Sequence, residues 1–172
     1  QLQEDPELLR VQKGCGAARG IFQFEKGGGC KGVLNHPATK REAERVCEQR
    51  QVIPTPDDAW ANLESDDVLA AGFARLLLWT DPAKLPAIGE VRHAFDLYIR
   101  TWRPGAYTRG TEAKKMALYT KWQLNYAKAM AGDTLIVATE PHIMHQMELA
   151  MPGKTFIGAP GADGQCSCNT RP

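Results

Sequence analysis

The 172-residue chain has no long apolar run and no excess of one charge. No window approaches the roughly 20 apolar residues that a membrane-spanning helix needs. No basic stretch followed by an apolar segment opens it, so no signal peptide is visible. Its formal net charge is +1, which argues neither for nor against a nucleic-acid partner. Cysteine is sparse and odd in number: five residues cannot all pair within one chain. Cys15 and Cys30 could close a loop of about 15 residues, worth roughly 3 kcal/mol if oxidised, or stay as two thiols under reducing conditions. Cys47 reads as a buried helical thiol, and Cys166 with Cys168 forms C-x-C, too little for a metal site without further ligands. The hydrophobic fraction of 43% and charged fraction of 24% are those of an ordinary globular protein.

Helical signals dominate from residue 36 to residue 131. Residues 38–50 carry mixed charges at i,i+3 and i,i+4 spacing, with Ala43, Val46 and Cys47 as the apolar side, the pattern of a surface helix. Thr55-Pro56-Asp57-Asp58 is a helix start with Thr55 as N-cap, and Ser65-Asp66-Asp67 is another. Residues 68–79 are apolar nearly all round and predict a buried central helix ended by Asp81-Pro82. Residues 88–102 place Ile88, Val91, Phe95, Tyr98 or Ile99, and Trp102 on one face. Thr111 caps a last helix, whose stripe of Met116, Tyr119, Trp122, Tyr126 and Met130 reads as packing.

The first 25 residues carry the chemistry-bearing candidates. Pro6 ends any helix at or before Asp5, which predicts a helix end at Glu4. A carboxylate there meets the negative end of the helix dipole and is pushed toward its neutral form, as suits a general acid. A solvated glutamate among Asp5 and Glu7 is the alternative. Phe22 and Phe24 alternate with Gln23, so the rings would pack inward and Gln23 would face a cleft or serve as a buried structural amide.

Leu2-Gln3-Glu4, then Ala18 to Glu25 with Gly27 to Gly29, then Leu76 to Pro82, then Asp96 to Gly105 appear in an order that resembles phage lysozyme-like and lytic-transglycosylase domains over about residues 1–130. The resemblance implies a mainly α fold, a lysozyme-like helical domain over residues 1–131. It also implies a peptidoglycan-cleaving activity, either lytic transglycosylase or muramidase. Glu4 would be the single catalytic acid/base, and Phe22, Gln23, Tyr98, Trp102 and Arg103 would line the glycan cleft. Trp102 reads alternatively as core, and the Trp-Arg pair departs from the family's usual Tyr-Asn. A two-carboxylate hydrolase would need Glu25 or Asp96 as its second acid. The implied partners are glycan strands and other phage proteins, with no nucleic acid, membrane or cofactor. The implied location is the virion, or the host cytoplasm before release to the periplasm. The alternative on the same resemblance is a non-catalytic structural component of a phage particle.

After Gly132 the composition changes. Residues 134–139 and 155–158 read as strands around a helical stretch at 141–151, a small β-α-β appendage over residues 132–172. This tail resembles a segment near the C-terminus of quinolinate synthase, an iron-sulfur enzyme of NAD biosynthesis. In that family the stretch ends C-x-C-N-x-C-P, the last cysteine binding the cluster; here Arg171 stands at that place. The resemblance therefore implies a fragment of the synthase without its cluster. His142 and His145 with Cys166 and Cys168 lack the spacing of a closed zinc site, so no metal is assigned.

Overall fold

A computed structural model describes residues 1–14, 16–132, 134–137, 145, 148–149 and 151–158. It divides the chain into two compact units, Gln1–Ala127 and Lys128–Pro172. The described residues are mainly helical.

In the first unit, β1 (Ala18–Arg19) and β2 (Phe24–Glu25) pair antiparallel. A short π-helical turn at Lys26–Cys30 leads into α1 (Lys31–Asn35). Five further helices lie wholly in this unit: α2 (Lys40–Gln49), α3 (Pro56–Asn62), α4 (Asp67–Trp79), α5 (Val91–Thr101) and α6 (Gly105–Thr108); α7 (Glu112–Ala131) follows. The core gathers Phe24, Val33, Leu63, Leu69 and Phe73, with Ala43 and Cys47 from the apolar side of α2. Gly72 lets α4 approach α2: a methyl group there would stand 3.0 Å from Val46. The two expected caps are present. The Thr55 hydroxyl accepts from Asp58 N at 3.2 Å, and Asp66 accepts from Leu69 N at 2.9 Å, each satisfying an otherwise orphaned donor of the first turn.

Three expectations need correction. Residues 1–5 do not close a helix; they form one turn, with Asp5 N on Gln1 O at 2.8 Å, and no regular helix precedes Pro6. Ile88 is outside α5, which starts at Val91 because Gly89 turns the chain at φ +94°, and Ile88 is left exposed. On α7, Tyr119, Trp122 and Tyr126 face inward as a stripe, but Met116 at its first turns is 65% exposed. Cys30 is a buried free thiol, and the disulfide reading with Cys15 falls outside the described residues.

In the second unit, β3 (Thr134–Val137) and β4 (Thr155–Gly158) pair in parallel from Thr134 opposite Thr155 to Val137 opposite Gly158. Parallel neighbours need a crossover between them. Most of the stretch expected to be its helix, residues 141–151, falls outside the described residues, as do His142, Cys166, Cys168 and Arg171.

Candidate functional site

The site is assembled where residues 1–12 lie against the rest of the first unit. Asp5 is buried, and its carboxylate accepts from Leu9 N at 3.0 Å and Arg10 N at 2.8 Å, folding residues 5–10 into a tight loop. Leu8 and Arg10 take left-handed backbone there, at φ 54° and 62°. Arg10 then grips Asp67 at the start of α4 with both forks of its guanidinium, a bidentate geometry. Its carbonyl receives Gly20 N at 2.7 Å. From the other side α7 reaches in: Lys121 Nζ donates to Gln3 O at 2.7 Å, and Asn125, one turn on, donates to Leu2 O and Gln3 Oε1 at 3.0 and 2.9 Å.

These bonds hold Glu4 against α5. The Tyr98 hydroxyl donates to Glu4 Oε1 at 2.5 Å. Tyr98 is itself fixed by stacking on Trp122 (centroids 4.9 Å, 23°) and Trp102 (6.3 Å, 28°). Burial raises the carboxyl pKa of Glu4 above its usual range; the Tyr98 hydrogen bond and the Lys121 charge oppose that shift without cancelling it. Burial, with the neighbouring Glu4, pushes the Tyr98 phenol well up. The shift of Glu4 is upward, and its main cause is desolvation rather than a helix dipole.

Glu4 opens onto a cleft of about 1060 Å³. Its lining includes Gln3, Gln23, Glu25, Tyr98, Trp102, Arg103 and Arg109. Gln23, Tyr98, Trp102 and Arg103 therefore share a cleft with Glu4. Gln23 and Arg103 both hold left-handed backbone, φ 52° and 49°, which a non-glycine residue adopts at a cost of about 1–3 kcal/mol. The two turns are tied together, since Trp102 Nε1 donates to Phe22 O at 3.1 Å. The Gln23 amide is turned back, donating to Gly20 O at 3.0 Å.

The remaining candidates are placed otherwise. Phe22 packs against the core and is not among the cleft-lining residues. Trp102 is both: it lines the cleft and meets Phe24 edge-on at 6.2 Å. Glu25 lines the cleft, whereas Asp96 does not; it is paired with Arg92 at 3.0 Å along α5. Arg109 was missed by sequence reasoning. Its signal is Gly105 four residues earlier, over which its guanidinium folds back.

Among the described residues, no group of three or more His, Cys, Asp or Glu side chains is placed to hold a metal ion. Cys30 and Cys47 are buried, and burial pushes their thiols up to about 12 and about 11, so neither is a ready thiolate ligand.

No family model matches the chain. No solved structure matches it either, so none supports a lysozyme-like fold. The relatives found are quinolinate synthases. That of Thermosynechococcus vestitus is 53% identical over 49 residues, 28% of this chain and 15% of the relative. That of Prochlorococcus marinus strain MIT 9303 is 51% identical over 49 residues, 28% of this chain and 14% of the relative. The enzyme from Synechococcus is 51% identical over the same length, 15% of that relative. The chain thus spans about 15% of the length of the curated relatives it matches. These matches support the quinolinate-synthase-like part of the chain, and they overturn the peptidoglycan-cleaving reading: the relatives found are named for another reaction, and nothing found supports a phage or lysozyme relationship.

Proposed function

We propose that this chain carries a segment of quinolinate synthase type and that its function is related to that enzyme rather than to cell-wall cleavage. One observation carries the reading: identity near one half is sustained over 49 residues with several separate relatives. The parallel, in-register pairing of β3 and β4 is in keeping with a piece cut from a larger α/β protein. The segment would supply one strand-crossover-strand layer to such a fold.

The residue at the expected ligand position, and the thiols among the described residues, do not fit the iron-sulfur cluster that the resemblance implies. Arg171 stands where the resemblance expects the ligating cysteine, and a guanidinium stays protonated and offers no lone pair to iron. The thiols of Cys30 and Cys47 are protonated and buried in the core of the first unit. The chain is accordingly read as a synthase-type segment without independent synthase activity.

A chimera tests this. The 49-residue match in the Thermosynechococcus vestitus enzyme is replaced by this chain's counterpart, and the product is expressed in a bacterium deleted for quinolinate synthase. Growth without added nicotinate is expected only when Arg171→Cys is also present. A chimera that stays inactive with Arg171→Cys, although folded and soluble, would sink the reading. Growth of the Arg171 form would overturn only the inactivity assigned to the segment, because it would then need no ligand at that place.

A further inference from the structure

We infer that the Glu4 cleft, whose lining includes Arg103, Arg109 and the Glu4–Tyr98 pair, binds a small dicarboxylate. The lining residues lie within Gln1–Ala127, and the inference does not rest on the synthase-type reading. Arg103 and Arg109 both line the cleft and are both exposed, and among the described residues neither forms an ion pair. Their neighbours differ in this respect: Arg10, Arg19, Arg92 and Arg100 are each paired with a carboxylate.

Arg103 and Arg109 line one cleft from either end of the short α6 turn, and like charges sharing a cleft favour an anion between them. Arg103 holds φ 49° at the end of α5, and Pro104 starts the turn of α6 immediately after it. Arg109 then folds back, its Nη2 2.7 Å from where a methyl group on Gly105 would stand, two residues from Arg103. A guanidinium fork matches a carboxylate through two parallel hydrogen bonds, so two forks suit two carboxylates.

Of the other carboxylates that line the cleft, Asp5 and Glu7 are engaged elsewhere, and Glu25 is the acidic group left on it. The Asp5 oxygens are taken by Leu9 N and Arg10 N, and Glu7 is held by Lys13. The Glu4 carboxyl is held by the Tyr98 hydroxyl, which donates to its Oε1 at 2.5 Å. Gln3 lines the same cleft and is 8% exposed. Its amide nitrogen lies near enough to the Tyr98 oxygen to act on its charge, yet forms no hydrogen bond of ordinary geometry. A buried N–H left so is a donor waiting for an acceptor.

Calorimetric titration of the full chain with succinate, malonate and inorganic phosphate, at fixed ionic strength in chloride, tests the site. One dicarboxylate is expected to bind at a single site. Arg109→Ala and Arg103→Gly should each weaken it about tenfold or more, the loss of one charge-assisted fork, while Lys114→Ala, outside the cleft, leaves it unchanged. Glycine suits the left-handed backbone at position 103, so Arg103→Gly removes the fork with the fold kept, and Arg103→Lys keeps the charge while losing the fork. Binding of phosphate with both dicarboxylates silent would overturn the ligand class. Absence of any binding, or affinities untouched by the arginine substitutions, would overturn the site.

Discussion

The Tyr98 hydroxyl meets the Glu4 carboxyl across 94 residues of sequence, and the bond ties the chain's first turn to the middle of α5. Glu4 titrates higher in the folded protein than in the unfolded chain because it is buried. The folded state therefore holds its proton more tightly, and the contribution is stabilising below the unfolded pKa and lost as pH rises through the folded one. Urea midpoints are expected to fall from acidic toward neutral pH, and Glu4→Gln should remove that part of the slope. Tyr98→Phe takes away the bond that favours the ionised form, so it should shift the fall to higher pH and cost about 1–3 kcal/mol at neutral pH, where a buried carboxylate loses its donor. A Glu4→Gln variant with an unchanged pH profile would show that Glu4 is solvated.

Cys30 and Cys47 give a second, independent reading of burial. With thiols at about 12 and about 11 and no solvent access in the core, both should resist alkylation by iodoacetamide at pH 8 in the native protein. In urea both should react at the rate of free thiols. Peptide mass mapping distinguishes them from the other three cysteines. Rapid native labelling at either position would mean that the packing of α1 against α2 is open.

Gly20 tests the junction between the first segment and α3. It is buried at φ +74°, and a methyl group there would stand 2.4 Å from the Leu63 carbonyl oxygen. Gly20→Ala thus meets both a left-handed backbone and a main-chain atom that cannot rotate away. A loss of about 1–3 kcal/mol is expected, read as a lower urea midpoint with an unchanged m-value.

The helices were legible because their signals are local. The run at residues 68–79 became α4 within one residue, with Leu69, Phe73 and Leu76 buried, and Thr55-Pro56 and Ser65-Asp66 marked helix starts that the caps confirm. The cleft was half legible: Gln23, Tyr98, Trp102 and Arg103 share it with Glu4. No periodicity says that α7 supplies Lys121 and Asn125 to the first segment, since those bonds span 118 to 123 residues. Nor could the turn at residues 1–5 be told from a helix end, because Pro6 excludes helix beyond it without requiring helix before it. The functional misreading had the same root. Short motifs in order do not establish a family, whereas identity with named relatives is sustained over 49 residues.

Asp66 joins a cap to an ion pair, and its two oxygens can be separated experimentally. Oδ1 accepts from Leu69 N at 2.9 Å, closing the first turn of α4, and Oδ2 accepts from Arg50 Nε at 2.7 Å, beyond the end of α2. The Asp66 side chain is only 15% exposed while that of Arg50 is 41% exposed, so the pair is screened on one side. Asp66→Ala should cost about 1–2 kcal/mol through the lost cap. Asp66→Asn keeps a capping oxygen and loses the charge, so it should cost less, in the range of about 0–1 kcal/mol typical of an exposed pair. Arg50→Ala should match Asp66→Asn, and the double variant should add little to either single one. If Asp66→Asn were as damaging as Asp66→Ala in urea denaturation, the ion pair to α2, and not the cap, would be what anchors the start of the central helix.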